Sequence, residues 1–419
     1  MLSEPAPSER RLPLWAGRTA ALLGILLVAL NLRTVVAALS PIANLVEHDV
    51  PLSAAVIGII GAAPPLMFAL AGLLTPWLSR RLGLEVLTLL AVGVMALGQL
   101  LRALSPNSLV LVVATAIALL GAGVGNVLLP PLVKRYFPDR LTQVTTGYAV
   151  LIAFSTSLPA LAAVPVATAF GWRVSLAVWV VLALTAVAPW AIAARTHRRA
   201  VRLARESDAE PIETEPALEA TLFRAPVAWA IMITFCLSSI NVYAGFAWFP
   251  SLLVETAHVS RADAGSLLAL YAIAGFPGSL LVPAIAARMK NVGILIYVAA
   301  AFLLIGDAGL LLIPAVATAL WITFAGLGGF LFPLALFLIN QRTRTHSGAV
   351  ALSGFVQGVG YIIAAASPLA FGILRQVTGT WTLSILMLAV LALAAIPAGI
   401  ILRRSRFLED DLVGRGARS

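Results

Sequence analysis

The 419 residues predict an all-α integral membrane protein with twelve transmembrane helices arranged in two six-helix halves. Three observations carry that prediction. First, 61% of residues are hydrophobic, 11% are charged and mean hydropathy is +1.00, whereas a soluble domain carries about a quarter charged residues. Second, twelve apolar segments each approach the roughly 20 residues that a helix needs to cross the hydrocarbon core. Third, Lys and Arg collect in alternate connections, as their retention on the cytoplasmic side requires.

Taken in order, the basic residues assign each segment its direction. Arg10, Arg11 and Arg18 precede the first segment, 19–42, and put the N-terminus inside. That start resembles a signal peptide, but it lacks a small-residue cleavage pattern and leads into eleven further spans. Segments 54–76 and 84–104 flank Arg80 and Arg81, while 108–132 and 143–168 flank Lys134, Arg135 and Arg140. The sixth, 173–194, enters the one long polar interval, where Arg195, Arg198 and Arg199 are followed by Glu206, Asp208, Glu210, Glu213, Glu215 and Glu219. After 226–249, Arg288 and Lys290 separate 262–286 from 292–313, and Arg342 and Arg344 separate 316–340 from 349–373. The last segment, 381–402, runs into Arg403, Arg404 and Arg406. Outer connections hold only Arg173, Arg261 and Arg375. The chain therefore divides into a cytoplasmic tail (1–18), an N-terminal bundle (19–194), a cytoplasmic linker (195–225), a C-terminal bundle (226–402) and a second cytoplasmic tail (403–419). The net charge of +10 is a topology signal by this reading, and no nucleic-acid partner is expected. A single cysteine, Cys236, rules out an intramolecular disulfide.

The halves repeat. At an offset of 207 residues Gly58 meets Gly265, Pro76 meets Pro283, Arg81 meets Arg288, Gly121 meets Gly328, Arg135 meets Arg342 and Gly147 meets Gly354. One register shared by six pairs predicts parallel repeats related by an axis along the membrane normal.

Four segments resemble the major facilitator superfamily and, within it, the cyanate permease and 2-nitroimidazole transporter family. They are Leu30-Asn-Leu-Arg-Thr34, Gly125-Asn-Val-Leu-Leu-Pro-Pro-Leu-Val-Lys134 with Phe137-Pro138, Trp248-Phe-Pro250, and Ser353-Gly-Phe-Val-Gln-Gly-Val-Gly-Tyr361. In the loop 76–83, Arg81 and Gly83 match the superfamily pattern, while Pro76 and Arg80 replace its usual Gly and Asp. The fifth segment lacks the Gly-Pro-x-x-Gly-Gly run of drug/proton antiporters. The resemblance implies a secondary transporter of the bacterial inner membrane that works by alternating access on a small organic anion or small planar polar molecule, cyanate-like or nitroimidazole-like. It also implies a cavity lined by the first, fourth, seventh and tenth helices, no cofactor, and a monomer. Multidrug-type efflux of neutral or cationic compounds is the alternative reading. No zinc-protease, phosphate-loop or nucleophile-elbow motif points to an enzyme.

Arg33 is the sharpest candidate residue. It falls about midway along its segment, where an arginine costs roughly 2.5 to 3.5 kcal/mol or more to insert. A guanidinium offers paired donors to a carboxylate or similar planar anion, so Arg33 predicts an anionic substrate; the competing role is a structural arginine satisfied by backbone carbonyls. Asn126, Tyr148, Asn241, Tyr243, Tyr271, Gln357 and Tyr361 are the other candidates for substrate contact, with Gln357 and Tyr361 on one helix face. Pro130 and Pro131 are expected to kink or end the fourth helix, Trp248 to sit in the interfacial belt, Asn31 to pack between helices, and Arg102 to snorkel to the interface. Asp307, the acidic residue well inside a predicted span, is the candidate for proton coupling. The inner-loop residues Arg81, Arg135, Arg288 and Arg342 are candidates for conformational gating, since the resemblance implies that these loops latch the halves together.

Overall fold

A computed structural model describes residues 18–206 and 222–410; residues 207–221 of the linker, most of the first tail and the end of the second lie outside the described residues. Eleven helices are long and apolar enough to span a membrane, and a twelfth span follows if the bent pair in the fifth position is counted as one. In chain order they are α1 (Thr19–Glu47), α2 (Val56–Leu82), α3 (Leu84–Ala103), α4 (Ser108–Tyr136), α5 (Pro138–Thr156 continuing as Leu161–Phe170), α6 (Trp172–Thr196), α7 (Pro226–Thr256), α8 (Asp263–Arg288), α9 (Gly293–Leu312), α10 (Thr318–Gln341), α11 (His346–Thr378) and α12 (Thr382–Leu402). There is no strand among the described residues. The helix that carries α6 continues to Glu206, well past the predicted end at 194. The basic residues that mark that end as a loop also suit the negative pole of a helix dipole.

Glycine seams set the packing inside each half, and they repeat. A Cβ on Gly98 of α3 would overlap the Ala118 backbone of α4, and one on Gly306 of α9 would come within 2.7 Å of Ala325 N of α10. Gly121 of α4 and Gly328 of α10 press in the same way on α3 and α9. Close backbone approach supplies the dispersion that holds helices together where lipid removes the hydrophobic drive.

Each half is also tied at the end remote from the basic loops. Trp172 Nε1 donates to Asp49 at 2.9 Å with Arg173 paired to the same carboxylate, and Trp381 Nε1 donates to Glu255 at 2.9 Å with Arg375 paired at 2.7 Å. Ser175 and Ser384, at corresponding places in α6 and α12, each donate to a carbonyl of the preceding span, Ala163 and Phe371, at 2.8 Å. Gly171 and Gly379, with φ of 88° and 69°, make the turns into α6 and α12, a backbone that side-chain-bearing residues rarely adopt. The indole donor of Trp172, followed by Arg173, holds the Asp49 carboxyl below its ordinary range.

Between the halves, contact gathers toward the basic end. α2 crosses α11 so tightly that a Cβ on Gly72 would overlap the Gly358 backbone and one on Gly354 would overlap the Pro76 ring. The Phe276–Arg288 part of α8 packs on α5, and α4 reaches both α10 and α11.

The intra-half seam makes a stability prediction. Gly98→Leu should destabilise the N-terminal bundle by roughly 1–3 kcal/mol or more through overpacking, read as a lowered midpoint of thermal unfolding in detergent, while Gly93→Leu, at a position open to space, should leave the midpoint unchanged.

Candidate functional site

The first helix is interrupted at the residue that matters most. Helix Thr19–Asn31 stops, Leu32 and Arg33 turn, and helix resumes at Thr34–Ala37. A continuous segment 19–42 was the expectation. The interruption holds because its freed polar groups find partners: Arg33 N–H donates to Ser155 Oγ of α5 at 3.2 Å, and Thr34 Oγ1 donates to Asn31 O at 2.7 Å. Asn31 Nδ2 donates to Leu27 O at 2.8 Å and to Leu182 O of α6 at 3.2 Å, the packing role expected for it.

The turn delivers the Arg33 side chain to the interface of the halves. Its Cζ lies 5.5 Å from the ring centroids of both Phe68 of α2 and Phe332 of α10, within the range of cation–π attraction. The hydroxyls of Tyr243 of α7 and Tyr361 of α11 interact with the guanidinium. Tyr361 is edge-on to Phe235 at 4.9 Å and to Phe68 at 5.3 Å. Arg33 is joined to no carboxylate among the described residues.

Asn126 extends the cluster. Its Nδ2 donates to Gln357 Oε1 at 2.6 Å and approaches Tyr361 Oη at 3.3 Å, while its buried Oδ1 has no partner. Gln357 Nε2 donates to Ser353 Oγ at 2.9 Å, and Ser353 Oγ donates to Val127 O at 2.8 Å. Of the kink or end expected at Pro130 and Pro131, the end does not occur: α4 runs on to Tyr136. Pro131 has no N–H for the Val127 carbonyl four residues back, and the Ser353 hydroxyl of the opposite half takes that carbonyl instead. Gly329 O, to which Pro333 four residues on cannot donate, accepts from Ser238 at 3.2 Å in addition to the Leu331 N–H.

Five of the eight candidates therefore meet: Arg33, Asn126, Tyr243, Gln357 and Tyr361. Tyr148 is buried in the core of the N-terminal half, and Asn241 donates to Leu237 O at 3.1 Å, with neither hydrogen-bonded to this cluster. Tyr271 packs against Phe246 and Phe249 and faces Asp307, whose two carboxylate oxygens are buried without a partner. Phe68, Phe235, Phe332 and Ser353 join the site without having been singled out from sequence. Phenylalanines scattered through apolar helices carry no local signal of what they face. Two peripheral residues also differ from expectation. Trp248 ties α7 to α11 through a bond to Pro368 O at 2.7 Å instead of only marking the interface. Arg102 is buried at 2% exposure and cannot snorkel, because α6 and the end of α1 cover it.

At the basic end, Lys134 of α4 crosses between halves, donating to Asn340 O at 2.8 Å and to Thr343 O at the end of α10. The predicted gating arginines have separate surroundings. Arg135 pairs with buried Glu85 at 3.4 Å, Arg342 donates to Leu402 O at 3.3 Å, Arg81 stacks on Trp77 at 4.2 Å, and Arg288 is exposed. The tail segment after α12 docks beside Lys134: Leu408 N–H donates to Arg342 O, and Glu409 accepts from the backbone of Arg344 at 2.8 Å.

Two bundles of six spans, related by a repeat and meeting at a polar cluster midway, match the Major Facilitator Superfamily over residues 21–365. The chain belongs to that superfamily. This facilitator is 30% identical to an uncharacterized transporter, YycB, of Bacillus subtilis, over 92% of this chain and 94% of that protein. Against the 2-nitroimidazole transporter of Escherichia coli it is 30% identical, over 91% and 95%. The cyanate transport protein CynX of the same organism is 27% identical, over 86% and 91%. Among solved structures, the proton:xylose symporter XylE bound to 6-bromo-6-deoxy-D-glucose superimposes with a TM-score of 0.72 at 13% identity, covering 94% of this chain and 98% of that one. The protein is a multi-pass membrane transporter acting on small molecules.

Lys134→Met in this facilitator should open the basic end, because it removes the donors that cap α10 from the opposite half. Spin labels placed on α4 and α10 near that end should report a longer distance distribution than in the unsubstituted protein; an unchanged distribution would assign closure to the α2–α11 seam alone.

Proposed function

We propose that this facilitator is a secondary transporter that moves a small planar anion, or a planar polar molecule of nitroimidazole type, across the bacterial inner membrane by alternating access. The observation that carries the reading is an intramembrane guanidinium without a counter-carboxylate, placed between aromatic rings from both halves. Bound anion supplies the missing charge. Tyr243 and Tyr361 add hydroxyl donors, and the unpartnered Asn126 Oδ1 accepts from a ligand N–H. Relatives named for 2-nitroimidazole and cyanate support cargo of that size and shape. With the basic loops cytoplasmic, both chain ends are cytoplasmic, and the contacts around Gly72, Gly354 and Lys134 close the path at that end. A cationic drug would meet Arg33 and no facing carboxylate, which counts against the efflux alternative.

The rocking cycle follows from the site's composition. Arg33 and Asn126 belong to one half, and Tyr243, Gln357 and Tyr361 to the other. A ligand held by both sets at once favours whichever state binds it more tightly, and its binding energy shifts the population only as far as the two states differ in affinity.

Asp307 is our candidate for proton coupling: 1% exposed, unpaired and facing Tyr271 within the C-terminal half.

Two outcomes test these assignments. Arg33→Gln should lower uptake of labelled 2-nitroimidazole and of small carboxylates into proteoliposomes by at least about a hundredfold, the loss expected of a desolvated charge-assisted pair; uptake retained at full affinity would sink the anchor role. Asp307→Asn should abolish accumulation against a gradient while leaving solute exchange at equilibrium intact, and loss of both activities together would instead make Asp307 a packing residue.

A further inference from the structure

Arg102 of α3 is a buried charge that the proposed site does not use. Only 2% exposed, it meets no carboxylate among the described residues. Its Nη1 donates to Val35 O at 2.8 Å, and its Nε is unpartnered. Gln99 and Trp179 line the same narrow cavity, yet the Gln99 amide and the Trp179 N–H make no hydrogen bond. Among the described residues the guanidinium's acceptor is thus a single backbone carbonyl of α1. Retaining an unpaired cation inside a membrane bundle is costly, and an apolar side chain would fill the space without that cost. The position therefore needs what the cation does.

Val35 sits two residues beyond Arg33, in the short helix Thr34–Ala37 that follows the interruption of α1. No continuous hydrogen-bond ladder carries the orientation of Thr19–Asn31 across Leu32 and Arg33, so outside contacts must hold the second piece. Arg102 grips it at Val35 O from α3, and Ser155 grips Arg33 N–H from α5.

We propose that Arg102 is a positioning residue for Arg33: by clamping the Val35 carbonyl it stabilises the broken form of α1 that aims the Arg33 guanidinium between the two halves. The proposal rests on the reading of Arg33 as the anchor, but its structural half can be tested without any substrate. A charge-assisted bond to a carbonyl is stronger than a neutral one, and one donor is enough to make it, so lysine should replace Arg102 and glutamine should not.

Amide hydrogen exchange on the full chain in lipid nanodiscs distinguishes the roles. In Arg102→Gln, amides 33–38 should exchange about tenfold faster or more, the scale expected for losing one charged hydrogen bond, while α3 and α6 keep their protection; Arg102→Lys should restore slow exchange at 33–38. Uptake should follow, with apparent KM raised and maximal rate held. Ser155→Ala removes the second brace, leaves no buried charge behind, and should give the same local signature, so the interruption can be probed even if Arg102→Gln does not fold. Unchanged exchange at 33–38 overturns the proposal. Acceleration spread equally through α3 and α6 also overturns it, since that pattern means bundle packing. If the local signature appears but Arg33→Gln retains uptake, the clamp stands and the anchor reading falls.

Discussion

An arginine midway through a membrane has no cheap state, and the structure is organised around giving Arg33 one. Water is the usual partner of a guanidinium, and a carboxylate is the usual substitute. No carboxylate is joined to it among the described residues. The protein offers two phenyl faces and two phenolic hydroxyls, groups that attract a cation without neutralising it. The result is a cationic cluster with no counter-carboxylate of its own among the described residues, which is the ground of the proposed anion site.

Delivering that side chain requires backbone that is not helical, inside a medium where unsatisfied N–H and C=O groups are very unfavourable. A side chain from another helix takes the freed group at several of these breaks. Ser155 takes the amide at Arg33, Arg102 takes the carbonyl at Val35, Ser353 takes the Val127 carbonyl released by Pro131, and Ser238 donates to the Gly329 carbonyl, to which Pro333 cannot donate. Two of these bonds, to Arg33 and Val35, lie within the N-terminal half, one lies within the C-terminal half, and the Ser353 bond crosses between them. That crossing bond ties α4 to α11, so the proposed rocking of the halves would require it to be exchanged for another.

The repeat explains why the closure is asymmetric along the membrane. Within each half, an acid–indole–arginine clasp and a serine-to-carbonyl bond secure the far end, and they leave the seams between halves to glycine contacts and to Lys134 nearer the basic end. Bundles that are stiff internally and joined through small residues can move as bodies.

Composition and pattern alone determined the class, the number of spans, their alternation and the two-half repeat, because the bilayer enforces length, apolarity and charge asymmetry segment by segment. They also singled out Arg33, because an intramembrane charge is conspicuous in one dimension. Only the tertiary structure decided which polar residues share its site. Asn126, Tyr243, Gln357 and Tyr361 converge on it, while Asn241, Tyr148 and Tyr271 turn elsewhere, since helical phase says which face a residue occupies but not which helix that face meets. The phenylalanines around Arg33, the serines that donate to carbonyls four residues before a proline and the burial of Arg102 were equally hidden. Each depends on a partner on another helix, distant in sequence, or on the covering of a surface by other helices, and neither leaves a mark on the local sequence.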